Sequence, residues 1–278
     1  MNYGKKFIVA PGSKVRLGKI DPADTGKHRS QAPALEKTAK EVERMDRLQY
    51  LLYADASGSL LIVLQGLDAA GKDGVIRHLF SGMNPQGTSV FGFKQPTKTE
   101  LAHDFLWRAH WRAPGNGEVV IYNRSHYEDV LAVRVHKLVP RAVWSKRYDL
   151  INDFEKMLSE NRTRILKFYL HISPDEQLDR FRQRLDDPER RWKISESDYS
   201  ERKLWSQYIE AYEEAIARTS TKRAPWYVIP SDHKWFRNLA ISQIVADTMD
   251  DMGLKLPPPR VDLADIRRKY HAAKRDAD

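Results

Sequence analysis

The chain has no cysteine in 278 residues, and that absence excludes disulfides, thiolate catalysis and every cysteine-based metal site. Any metal must then sit on oxygen or imidazole. The nine histidines are dispersed, and no two stand at i, i+3 or i+4, so a histidine pair on one helix face is excluded as well. No apolar run reaches the roughly 18 residues that span a bilayer. The N-terminus, MNYGKKFIVAPGSKVRLGKI, has neither a sustained apolar segment after its lysines nor a small-residue cleavage site. The expectation is a soluble, cytoplasmic protein with no membrane partner. Internal repeats and low-complexity tracts are also missing, which leaves one domain over 1–278 as the economical reading.

What the sequence has in excess is positive charge: 47 Lys and Arg against 38 Asp and Glu, a net charge of +9. Such a balance implies an anionic partner. Nucleic acid, membrane surface, nucleotides and polyphosphate all satisfy it, so motifs must choose. The 41% hydrophobic and 31% charged content is ordinary for a globular protein, and this length buries about three quarters of the unfolded surface.

Residues 1–55 read as an irregular arm followed by a helix from about Ala34 to Asp55. The run Leu60-Leu61-Ile62-Val63-Leu64 has the length and continuity of a parallel strand buried on both faces. Similar runs follow at Ser89–Phe93, Val119–Tyr122, Ile165–Ile172 and Trp226–Ile229, separated by segments of helical spacing. This alternation predicts an α/β fold with a five-stranded parallel sheet flanked by helices. Thr97-x-x-Glu100, Ser173-Pro174-x-Glu176 and Ser195-x-x-Asp198 mark helix starts. A strongly charged helical region over about 175–218 is placed to act as a lid, and 253–278, with Pro257-Pro258-Pro259, reads as a surface tail.

Directly after the first strand comes Gly66-Leu67-Asp68-Ala69-Ala70-Gly71-Lys72-Asp73-Gly74, which matches GxxxxGK with Asp73 where Ser or Thr usually stands. Glycines let consecutive backbone amides point inward, and the following helix sets its positive end against a phosphate. Lys72 adds a mobile cation. Asp73 puts a carboxylate where a magnesium-binding hydroxyl is usual, so metal handling is expected to differ. Asp68, an anion within a phosphate cradle, reads as a cation ligand, as a group that orients an acceptor, or as a loop brace.

The strand at Val119 ends in Asn123-Arg124-Ser125-His126-Tyr127-Glu128-Asp129. Ligands bind at the carboxyl ends of strands in open α/β sheets, so this segment should face the crevice of the glycine loop. Asp68 and Asp129 can supply the one or two carboxylates that magnesium needs. Arg124 would neutralise a transferring phosphoryl group, and Asn123 can fix an oxygen. Glu128 reads either as a site residue or as the partner of Ser125 in a capping box, and His126 as a packing or hydrogen-bonding residue.

The segments GLDAAGKDG, FGFKQPT, YNRSHYEDVLAVRV, KFYLHIS, RRWKIS and PWYVIPSDHKWFRN together resemble the family-2 polyphosphate kinases, over about Val9 to Met252. The resemblance implies a P-loop kinase fold like that of thymidylate kinase, a helical lid, and magnesium-dependent transfer between polyphosphate and nucleoside mono- or diphosphates. The NRSHYED segment is similar to the subgroup acting on both AMP and ADP. The family resemblance implies catalytic roles for Asp68, Lys72, Arg124 and Asp129, with Asp68 and Asp129 binding magnesium, for which manganese can substitute, or orienting the acceptor, and Lys72 and Arg124 as phosphate ligands. Gly66, Ala69, Ala70, Gly71, Asp73 and Gly74 would wrap the phosphates, with Asn123, Glu128 and Arg134 near the acceptor. Phe93, Lys94 and Thr97 would line the nucleotide, although Phe93 also reads as core and Thr97 as a cap. Arg180, Arg184, Arg190, Arg191 and Lys193 match the lid, where each also reads as a solvated face. Partners implied are polyphosphate, AMP, ADP, ATP and guanine nucleotides, in a dimer or tetramer, with no nucleic acid. The rivals are an ATP-dependent nucleotide kinase and a non-catalytic nucleic-acid-binding module. The acidic residues of the proposed crevice argue against the second.

Overall fold

The computed structural model describes residues 1–275. Five strands, β1 Ser59–Gln65, β2 Thr88–Gly92, β3 Val119–Asn123, β4 Thr163–His171 and β5 Trp226–Pro230, form one sheet of order β2-β3-β1-β4-β5, parallel throughout. All five apolar runs are therefore strands. Every residue of β1 is buried because Leu60, Ile62 and Leu64 enter one core while Leu61 and Val63 enter the other. Helices Ala32–Asp55, Lys72–Phe80 and Lys234–Asp250 cover the first face, and Arg147–Glu160 with Trp205–Thr219 cover the second.

Register sets the site. Leu64 pairs with Asn123 across β1 and β3, and Gln65 with Tyr169 across β1 and β4. The carboxyl ends of the three central strands thus lie level. Because β3 and β4 flank β1 on opposite sides, the loop after β1 opens at the topological switch point, where such sheets take their ligands.

The charged region expected at about 175–218 consists of helices Pro174–Asp186, Glu196–Arg202 and Trp205–Thr219, with a 3-10 turn at Arg191–Lys193. Its caps form as the sequence indicates: Ser173 Oγ accepts from the Glu176 amide at 3.1 Å, and Asp198 accepts from the Ser195 amide at 2.9 Å. The arm is less loose than its composition suggests. Tyr3, Phe7 and Leu17 are buried, Ile8 forms an antiparallel bridge with Tyr227, and the Val9 amide donates to Trp226 O at 2.8 Å. It covers the otherwise open edge of β5, which limits pairing with other chains. The expected tail contains a helix, Leu263–Arg275, with no buried residue, and 276–278 of that tail lie outside the described residues. Among the described residues no helix is long and apolar enough to cross a membrane.

Candidate active site

The loop after β1 is built on positive φ. Gly66 stands at φ +151°, and a Cβ there would lie 2.9 Å from Leu170 O on β4; Gly71 stands at φ +101°. Glycine alone combines these angles with such close approach. Ala69 is left-handed as well, at φ +61°. Lys72 opens the following helix, and its ammonium folds back to donate to Gly66 O at 2.7 Å and Leu67 O at 3.2 Å. Burial, helped by Arg124 and opposed by Asp68, Glu128 and Asp73, pushes its pKa down to about 8. A phosphate chain brought into the loop supplies negative charge and must raise that pKa. At pH 8, binding of polyphosphate should therefore take up a fraction of a proton, and affinity should weaken as pH rises above 8. Calorimetric titration in two buffers of different ionisation heat checks this. Equal proton exchange by Lys72→Met would assign the uptake elsewhere.

Across the crevice, Arg124 leaves β3 at φ +58°, a left-handed conformation uncommon for a long side chain, with its amide on Leu64 O at 3.1 Å. Its guanidinium lies 2.9 Å from Asp68 and 4.0 Å from Glu128. The structure thus brings Asp68, Lys72, Arg124 and Glu128 together. Ser125 caps the 3-10 turn His126–Asp129 through the Tyr127 amide, while the Glu128 carboxylate faces Arg124. The Asp73 side chain is 68% exposed: it accepts from Asn123 Nδ2 at 3.0 Å and lies 3.5 Å from Lys193. The departure from Ser or Thr at this position thus links the loop, β3 and the 3-10 turn at 191–193.

Several expected ligands are engaged elsewhere. Arg180 is a correction: it is buried beneath the loop, donating to Ala69 O, Ala70 O, Ser231 O and Asp232 O and pairing with Glu176. All of its donors are used, so it braces the cradle from behind. Phe93 is another, because its ring is 1% exposed in the second core, against Tyr122 at 4.7 Å and under Arg108 and Arg112. It has no face free for a base. The Thr97 side chain is spent on a capping box with Glu100, and Lys94 is exposed, its carbonyl accepting from Arg108 at 2.8 Å. Arg134 pairs with Glu214 at 2.6 Å and lies over Trp144. Arg184 donates to Lys193 O, Arg190 pairs with Asp187, and Arg191 donates to Leu185 O. Of the five cations expected in the lid, two reach the phosphate loop: Arg180 from behind, through Ala69 O and Ala70 O, and Lys193 through the Asp73 carboxylate.

Sequence reasoning missed the supports. Arg237, buried on the helix Lys234–Asp250, lies behind Gly71 and Gly74; burial and Arg180 push its pKa down to about 9. Gln177 donates to Asp68 O at 2.9 Å, and Tyr212 donates to Gln65, whose amide reaches Ser125. Arg237 lies in a segment singled out by resemblance, but neither Gln177 nor Tyr212 carried a local signal.

The fit to magnesium is divided between the two expected carboxylates. Asp68 has a partly exposed side chain and, among the described residues, one ion-pair partner, Arg124, so it can share a divalent ion with substrate oxygens. Asp129 is held by Arg147 at 3.1 Å and Arg108 at 3.7 Å, and burial pushes its pKa up to about 6 despite both arginines. Among the described residues no group of three or more His, Asp or Glu could enclose a metal. That is compatible with magnesium, which is commonly held by one or two carboxylates, waters and substrate phosphates.

The sheet order and the lysine-bearing glycine loop at its switch point define a P-loop kinase. The family model for polyphosphate kinase 2 matches residues 28–257, and the chain belongs to that family. It is 50% identical over 256 residues to the AMP/ADP-polyphosphate phosphotransferase of Meiothermus ruber, covering 92% of this chain and 96% of that protein. It is 45% identical to the ADP-polyphosphate phosphotransferase of Rhodopseudomonas palustris, over 91% and 92% of the two chains. The crystal structure of polyphosphate kinase 2 from Arthrobacter aurescens TC1 has a TM-score of 0.94 at 38% identity, covering 98% of this chain and 97% of that one.

Proposed function

We propose that this chain transfers the terminal phosphoryl group of inorganic polyphosphate to AMP and to ADP, giving ADP and ATP, in a reversible reaction. The observation that carries the reading is the placement of Lys72 and Arg124 on the two sides of one crevice, with Asp68 between loop and arginine. Phosphoryl transfer needs alignment and charge neutralisation more than covalent help. Lys72 holds the donor chain on the loop amides. Arg124, kept in the crevice by Asp68 and Glu128, neutralises the group in flight. An oxygen of the acceptor phosphate attacks the terminal phosphorus in line, the bond from that phosphorus to the bridging oxygen breaks, and polyphosphate leaves one unit shorter, so no phosphoenzyme is required. Magnesium, held by Asp68 with phosphate oxygens, would supply further charge neutralisation when bound. The segment from Pro174 to Arg218 would act as a lid, with the Asp73–Lys193 contact joining its 3-10 turn to the loop. AMP as well as ADP is favoured by the similarity to the Meiothermus ruber protein.

The test is nucleotide product analysis after incubation with magnesium, polyphosphate and either AMP or ADP, with Asp68→Asn in parallel. ATP formed from ADP only when polyphosphate is present, and lost in the variant, is the expected result. Turnover only with ATP as donor would replace this reading with a conventional nucleotide kinase.

A further inference from the structure

Lysine is out of place in the middle of a buried parallel strand, yet Lys167 stands in β4 with no exposed surface. Its ammonium is fully engaged. It pairs with Glu155 of the helix Arg147–Glu160 at 2.5 Å, donates to Tyr127 Oη at 2.9 Å, and donates to Thr219 O at the end of the helix Trp205–Thr219 at 2.8 Å. Tyr127 in turn donates to Glu155 at 2.8 Å, and His126 lies 3.5 Å from the same carboxylate. Burial opposes the charge on Glu155, but Lys167 and His126 together outweigh it and hold the carboxyl below its ordinary range. The Tyr127 hydroxyl is pushed well above its usual range by burial and Glu155, so it remains a donor.

An apolar trio of the same volume would commonly stabilise a core as well or better, because buried ions lose their hydration. Stability alone therefore does not account for the network. Its connections suggest another use. Tyr127 and His126 are the inward residues of the segment whose outward residues are Arg124, Glu128 and Asp129. The helix that supplies Glu155 begins with Arg147, which holds Asp129 through both its carboxylate and its carbonyl. The helix ending at Thr219 carries Tyr212, which reaches the opposite side of the crevice at Gln65. One ammonium thus joins the catalytic segment to the two helices that frame it.

We infer that Lys167, Glu155 and Tyr127 are positioning residues for phosphoryl transfer, fixing where Arg124 stands relative to the phosphate loop. The inference rests on the proposed role of Arg124, and the experiment separates the two. Tyr127→Phe removes one oxygen and keeps the ring packing. It should fold with a melting temperature near that of the unaltered protein, lower kcat about tenfold or more, as a small misplacement of a catalytic group does, and leave KM for polyphosphate and ADP within about twofold. In an Arg124→Ala background the same change should cost nothing further, since its effect passes through Arg124. The triple variant Tyr127→Phe, Glu155→Met, Lys167→Met fills the space with apolar groups and should fold with a similar kcat loss. Unaltered kcat in a folded Tyr127→Phe or triple variant, while Arg124→Ala is impaired, overturns the inference alone. An Arg124→Ala enzyme with unaltered kcat overturns the proposed role of Arg124, and the inference with it.

Discussion

Lys72→Met should leave the chain folded and lower kcat with polyphosphate and ADP by about 10²–10³-fold, the loss typical of removing one preorganised donor from a developing charge. The ammonium already rests on Gly66 O and Leu67 O, so it needs little reorganisation to meet a phosphate oxygen over the same loop. Methionine keeps the length of the stem and loses the charge. Stability should not fall. Burial lowers the Lys72 pKa to about 8 in the folded chain, against about 10.4 for an unperturbed lysine, so the charged form is disfavoured by folding. The unfolded chain holds more protons between these values, and stability from this group rises with pH there; below pH 8 its charge is a net cost. Replacing it should keep or raise the melting temperature near neutral pH. Initial rates of ATP formation and a thermal melt measure both effects. A rate within about tenfold of the unaltered enzyme would mean that the lysine does not neutralise charge in the transition state.

The strands were legible because a central parallel sheet buries both faces, which leaves continuous apolar runs such as Leu60–Leu64 that no loop resembles. The phosphate loop was legible because its glycines are demanded by backbone geometry that acts over nine adjacent residues. Arg124 and Asp68 followed from their place at strand ends. What did not follow depended on partners distant in sequence. Arg180 lies on a helix so charged that it reads as a solvated face, and only the fold shows that it passes beneath Ala69 and Ala70. Phe93 stands just past β2, where a residue can face either core or crevice, and the covering Arg108 and Arg112 come from the short helix Trp107–Trp111 and the residue that caps it, which gave no warning. Asp129 looked like a free carboxylate because Arg147 is 18 residues away. Lys167 is visible in sequence as a charge inside an apolar run, but its partner Glu155 belongs to a helix in which several acidic residues look alike. The tail helix was missed because the prolines before it obscure the helical spacing of Leu263, Ile266 and Tyr270.

Gly71→Ala should lower stability by roughly 2–5 kcal/mol from two separate causes. Gly71 stands at φ +101°, where any Cβ is strained, and that Cβ would lie 2.1 Å from a guanidinium nitrogen of Arg237. Arg237 is buried and tied to Asn238 and, at 3.4 Å, to Ala70 O. It has little room to retreat, since Arg180 occupies the neighbouring space under the same carbonyl. The loop must therefore shift outward, and the amides that point at the phosphate shift with it. Activity should fall together with stability, unlike the Lys72→Met case, where only activity falls. The two causes separate in a double-variant comparison. Arg237→Ala opens the space without altering φ, so combining it with Gly71→Ala should relieve the contact and leave the backbone strain. Chemical denaturation of the four proteins should show a coupling of at least about 1 kcal/mol, as expected for residues in direct contact. Strict additivity would mean that the loop yields around the new methyl without meeting Arg237, and that the glycine is required by its backbone angle alone.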